Sequence, residues 1–249
     1  MKYLLTILIS FITIFSQAQI VNVESQRIQS DTTGWLGTFG VSFKLDKNKV
    51  EVINLNTNAQ IEYKEPRSLY LFLMNYDFLS GASQTLQNNL FFHLRYNYKI
   101  TNTLRLEAFT QVQQNNLSGI KSRWLIGTGP RFKISGTKKL SLYAASLVMY
   151  ENEHELTKPV TLHKEIRNSS YTSASWRPVD KAEITTTLFY QPLFRDFSDF
   201  RVLHELKVKF QFTKKFSFFT TWAILYDSRP AIDVPNTIYT LRNGIEYEF

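Results

Sequence analysis

From Gly34 to Phe249 the chain repeats one unit, a run of about 11–15 residues with alternating character followed by a turn. Period two sends successive side chains to opposite faces of a β-strand, so each run presents two chemically distinct faces. Globular strands usually have about 5–6 residues, whereas a tilted strand crossing a bilayer needs about 9–11. Twelve such runs lie at 34–46, 50–64, 67–80, 86–100, 103–115, 122–134, 140–152, 166–178, 182–194, 199–212, 216–228 and 237–249. Unpaired backbone amides are costly in hydrocarbon, and an even strand count suits closure. The expected fold is therefore all-β, a single closed antiparallel transmembrane β-barrel of about twelve strands over 34–249.

The alternation assigns the faces. On the fourth run Leu90, Phe92, Leu94, Tyr96 and Tyr98 oppose Phe91, His93, Arg95, Asn97 and Lys99. Runs 34–46 and 140–152 alternate poorly, and 166–178 is polar on both faces. The last run ends Ile245, Glu246, Tyr247, Glu248, Phe249, with apolar and acidic side chains on opposite faces. Apolar faces are read as lipid-facing and charged faces as lumenal. The lumen-lining candidates are Arg95, Lys99, Arg105, Glu107, Arg123, Arg131, Lys133, Glu205, Lys207, Lys209, Arg242 and Glu246, with Glu183 and Glu248 of the same phase. Opposite charges on neighbouring strands can pair and fill such an interior, but the surplus of bases suits passage of small anions. Exchange of an inward base for glutamate is expected to spare folding.

Turn lengths set the orientation. With the last strand ending in the periplasm, KEPR, KITNT, SGTKK, RPVDK and FTKK form the short periplasmic set. The opposite set includes the longer ENEHELTKPVTLHKEI and DSRPAIDVPN, as outer loops should. Aromatics near strand ends, such as Tyr63, Tyr150, Tyr190 and Tyr226, suit interfacial girdles.

Residues 1–18 read as a signal peptide: Lys2, an apolar stretch from Leu4 to Phe15, then Ser16 and Ala18 before the cleavage site. That apolar stretch is too short for a spanning helix, which needs about 20 residues. Cleavage leaves Gln19 first and lowers the formal charge from +8 to +7. An exported basic chain suits acidic partners, among them lipopolysaccharide and small anions, and nucleic acid is not expected. Residues 19–33 are a periplasmic tail, a lumen plug or a thirteenth partial strand; the sequence leaves all three open.

Catalytic chemistry finds little footing. The chain has no cysteine, which removes thiol nucleophiles, disulfides and cysteine metal clusters. An outer-wall lipase needs a serine beside a histidine base, and no HxS spacing occurs around His93, His154, His163 or His204. His154 and His163 fall in one acidic loop at spacings too loose for a metal site. Gly127-Thr128-Gly129 opens no helix, so it reads as room for large neighbours rather than a phosphate loop. No enzyme activity, cofactor or metal is expected.

Particular stretches resemble a bacterial outer-membrane family described as salt-induced, domain of unknown function 481. They are SRWLIGTGPRFKI at 122–134 and YDSRPAIDVPNTIYTLRNGIEYEF at 226–249, with NVESQRI at 22–28 and GWLGTFGVSF at 34–43 where that family opens. The resemblance implies an outer-membrane barrel and no particular reaction. Pro130 departs from the family's aromatic strand pattern, and a bulge or irregularity is expected there because proline cannot donate a ladder hydrogen bond. The terminal aromatic carboxylate resembles the signal read by the barrel-assembly machinery, with Tyr247 and Phe249 as its residues. Deleting Phe249 should therefore lower membrane assembly more than Glu248→Gln, as measured by membrane fractionation; equal levels would contradict the assignment.

Overall fold

The computed structural model describes residues 20–27, 33–47, 50–82, 84–137, 139–156, 160–213, 216–231 and 234–247. The signal peptide reading and Phe249 lie outside them. A short 3-10 helix, η1 (Glu24–Gln26), precedes the strands. Twelve strands follow: β1 (Gly34–Lys47), β2 (Glu51–Lys64), β3 (Ser68–Gly81), β4 (Gln84–Lys99), β5 (Leu104–Asn115) and β6 (Ile120–Gly136). Then come β7 (Leu140–Glu155), β8 (Leu162–Val179), β9 (Ala182–Leu193), β10 (Asp196–Gln211), β11 (Phe216–Asp227) and β12 (Thr237–Tyr247). Each expected run corresponds to one strand.

All twelve form one antiparallel sheet in which each strand pairs with its neighbours in sequence. Among the described residues β1 pairs with β2 and β12 with β11, and no ladder joins the two edges. The sheet is nevertheless strongly curved. Strands three places apart in a flat sheet lie about 14 Å from one another. Yet the Tyr171 hydroxyl on β8 donates to Glu107 on β5 at 2.6 Å, and Arg201 on β10 reaches Glu151 on β7 at 2.7 Å.

Curvature separates the two faces. Leu94 is 50% exposed while its chain neighbour Arg95 is 4% exposed. Trp124, Ile126, Val148, Leu188 and Trp222 share the exposed face, which is too continuous an apolar surface for water to cover cheaply. Along β7 the sequence shows little alternation. In the structure Ala145, Leu147, Met149, Glu151 and Glu153 are buried, while Ser146, Val148 and Tyr150 are exposed. Its phase is clear, but the buried face is itself partly apolar, so polarity alone hides it.

One local expectation changes, and another resolves between its two alternatives. The segment 151–166 is no long loop: β7 and β8 continue to Glu155 and Leu162, with His154 opposite Leu162 and His163 opposite Glu153. The irregularity expected at Pro130 is an interruption of the β6–β7 ladder between Thr128↔Val148 and Arg131↔Ala145, with no register shift and so no bulge. Gly129 allows this close approach, because a Cβ there would overlap the Ser146 carbonyl oxygen. Gly127 opens space on the same strand for the Phe109 ring, 2.5 Å from where its Cβ would stand.

The face assignment can be measured by chemical unfolding in lipid vesicles. Leu94→Arg should cost about 2–4 kcal/mol if its site lies near the bilayer midplane. Lys207→Gln, at a base 4.9 Å from the Phe219 ring on the opposite face, should cost less than Leu94→Arg. The opposite ranking would reverse the two faces.

Candidate functional site

Residues 20–27 occupy the concave side of the sheet. Ile20 joins an apolar cluster with Phe109, Leu125, Met149, Phe189, Leu203 and other side chains reaching as far as β12. Val23 packs with Leu71, Leu73 and Phe91 from β3 and β4. The Asn22 amide donates to Glu205 on β10 at 2.9 Å, and the Gln60 amide on β2 donates to the Gln26 carbonyl. Residues 20–27 thus lie against the concave face and form no strand of the sheet. Between Ile20, Val21 and Val23 and the wall formed by β4 to β9 only about 30 Å³ remains. That is about one water.

The plug is fixed by charge as well as by packing. Glu24 is buried, with one carboxylate oxygen 2.6 Å from Arg95 and the other 2.8 Å from Arg131. Arg27 spans Glu24 at 3.0 Å and Glu107 at 2.8 Å, and Tyr171 completes Glu107. Burial alone would raise the Glu24 carboxyl, but Arg131, Arg27 and Arg95 outweigh it and hold the value down to about 2. Removing one partner from such a buried set leaves an uncompensated charge, at a cost of about 3–5 kcal/mol. The expectation that any inward base tolerates exchange for glutamate therefore fails for Arg95 and Arg131, where the new carboxylate would face Glu24 and Glu107.

A second network lies toward the end where β7 leads to β8. Arg123 meets Glu151 at 2.7 Å and Glu153 at 3.2 Å. Arg167 bridges Glu151 and Asp199, both at 2.8 Å, and Arg201 bridges Glu151 at 2.7 Å and Asp227 at 3.0 Å. Three guanidinium groups thus share four carboxylates across β6, β7, β8, β10 and β11.

The opposite end opens into a vestibule of about 860 Å³ beside the 65–67, 100–103 and 137–139 turns. Its wall carries nine Lys and Arg against three Glu, so its field favours anions. Glu24, Arg27 and Arg131 belong to its lining, which places the plug network at its inner end.

The lumen-lining candidates, which the alternation treats as one set, separate into layers. Arg95, Glu107 and Arg131 hold the plug, and Arg123 belongs to the second network. Lys99, Arg105 and Lys133 line the vestibule. Glu205 receives Asn22, Lys207 lies over Phe219, Lys209 is half-buried and Arg242 is exposed on β12. Glu246 and Tyr247 are placed through their backbone pairing with Ser217 and Phe216. Sequence reasoning missed Glu24 and Arg27, which sit in a segment without periodicity. It also missed Arg167, Arg201 and Glu151, although Arg201 shares the parity of Glu205 and Lys207.

Three histidines make close polar contacts, among them His163, whose Nε2 lies 2.8 Å from Glu155. His93 Nδ1 lies 3.1 Å from Gln111, and Arg95 Nε donates to its Nε2 at 3.2 Å, so this ring positions Arg95. On the outer face His204 Nε2 lies 2.9 Å from the Thr186 hydroxyl, a hydroxyl–imidazole pair across strands that an HxS search does not reach. Among the described residues no cluster of three His, Asp or Glu is arranged to hold a metal.

The NanC porin superposes with a TM-score of 0.52 at 8% identity, covering 86% of this chain and 98% of that one, a likeness of fold. The translocator domain of the autotransporter NalP from Neisseria meningitidis gives 0.47 at 10% identity, covering 90% and 92%. The KdgM porin gives 0.45 at 12% identity, covering 86% and 99%. No curated protein sequence matches the chain. The family of proteins of unknown function DUF481 matches residues 39–249, and the chain belongs to that family.

Proposed function

We propose that this protein is an outer-membrane β-barrel of a Gram-negative envelope, a narrow passive channel for small anionic solutes that its own amino-terminal segment holds shut. The exposed apolar belt supports a membrane setting, and the fold shared with the NanC porin supports a channel architecture. In hydrocarbon the free edges of β1 and β12 would leave backbone groups unpaired, and their mutual pairing would close the barrel. The observation that carries the reading is the sequence of layers along the interior: a basic vestibule, then a plug seated on Glu24. A substantial anion-attracting antechamber serves no purpose in a wall built only for stiffness.

The second reading, a closed structural barrel supporting the envelope under osmotic or salt stress, is favoured by the Arg123–Glu151–Arg201 network beyond the plug. A lipase-type activity has only the Thr186–His204 pair, with no third group shown orienting the imidazole.

Planar-bilayer conductance separates the channel from the closed barrel. The mature chain should conduct weakly, and removal of residues 20–31 should produce larger steps selective for anions. Silence of the deletion variant, with heat-modifiable migration showing that it is folded, would favour the structural barrel. The Glu24 latch also predicts a pH dependence. A carboxylate held near 2, below its ordinary 4.5, stabilises the plug fully above about pH 4.5; that contribution declines below it and is gone near pH 2. Conductance of the intact chain should rise as pH falls through that window, and Glu24→Gln should raise conductance already at pH 7. Equal conductance of both at pH 7 would remove Glu24 from the latch.

A further inference from the structure

The vestibule contains a row of like charges that the fold alone does not explain. Lys99 on β4 stands directly opposite Arg105 on β5, and Arg105 directly opposite Arg131 on β6. Adjacent strands lie about 4.8 Å apart, so three cations fall within about 10 Å, and like charges directly opposite one another destabilise a sheet. Lys133 follows two residues after Arg131 on the same face and lines the same cavity. Only Arg131 of these four is neutralised, by Glu24 at 2.8 Å and Glu107 at 3.7 Å. Among the described residues Lys99, Arg105 and Lys133 form no ion pair with a carboxylate, and the buried Nε of Arg105 has no hydrogen-bond partner.

The guanidinium groups are also oriented. Arg131 stacks 3.9 Å from the centre of the Tyr143 ring and Arg105 lies 5.5 Å from the same ring. A ring that holds guanidinium faces leaves their N–H edges for bidentate contact with planar or tetrahedral oxyanions. The cavity volume falls within the range that accepts a small molecule.

We infer that Lys99, Arg105 and Lys133 form a binding site for a small solute carrying at least two anionic groups, one set against Lys99 and Arg105 and the other against Lys133. A single anion would satisfy Lys99 and Arg105 and leave Lys133 without a counter-charge. The inference deepens, and rests on, the reading of the vestibule as an entrance for anions. Carboxylates and phosphates share the required chemistry, and the probes distinguish them.

The test is calorimetric titration of the full mature chain in detergent at about 0.15 M salt, which screens diffuse attraction. Citrate and inorganic pyrophosphate serve as multivalent probes and acetate as the single anion. Saturable one-site binding of citrate or pyrophosphate, at least tenfold tighter than acetate, is expected. Lys99→Gln/Arg105→Gln should weaken it tenfold or more, while Lys121→Gln, an exposed base at the far end of β6, should leave it unchanged. If the double variant loses heat-modifiable migration, Lys133→Gln replaces it with the same expectation. Absence of saturable binding by the unaltered chain, or equal weakening by Lys121→Gln, would overturn the site. Binding that survives while plug removal opens no conductance would retain the site and sink the channel, and conductance without binding would do the reverse.

Discussion

A carboxylate enclosed by guanidinium groups organises this molecule. Glu24 reaches strands β4 and β6 at once, and through Arg27 it is linked to Glu107 and Tyr171 on β5 and β8. Each of these charges would be expensive to bury alone, and each becomes tolerable only when the others are in place. The set therefore specifies an arrangement more than it adds stability. It fixes where the amino-terminal segment sits, and the apolar residues Ile20 and Val23 then pack against walls that would otherwise enclose empty space.

The outer face answers to a different constraint. There the long strands satisfy backbone groups through ladders, and side chains are sorted by what lies outside. The result is an inversion of the usual globular arrangement, with Trp124 and Ile126 exposed and Arg123 and Glu151 buried. Layering along the concave face follows from the same sorting: the ion-pair networks lie deep, and Lys99, Arg105 and Lys133 lie in the vestibule.

Much of this architecture is legible in the sequence because period two is local. Alternation such as that around Leu94 and Arg95 marks most of the strands and gives their number, while the family is legible in particular stretches, 122–134 and 226–249 above all. The turns are less legible: β7 and β8 extend through residues that read as a loop because Glu151, Glu153 and Glu165 look solvated until Arg123, Arg167 and Arg195 meet them. The plug cannot be read. Residues 20–27 have no period, and the worth of Glu24 depends on arginines 71 and 107 positions away. The alternation gives the lumen candidates no depth, so latch residues and vestibule residues look alike.

The central claim is that the amino-terminal segment resides inside the curved sheet, and the absence of native cysteine makes this directly measurable. Val23→Cys combined with Leu73→Cys places one thiol on the plug and one on β3 within the same packed cluster. Oxidation in intact membranes, read as a mobility shift of the unreduced and fully denatured chain, should give an intramolecular disulfide in most molecules, whereas Val23→Cys paired with outward-facing Leu94→Cys should give none. Equal cross-linking of both pairs, or none with Leu73→Cys in a folded barrel, would show that the segment lies elsewhere.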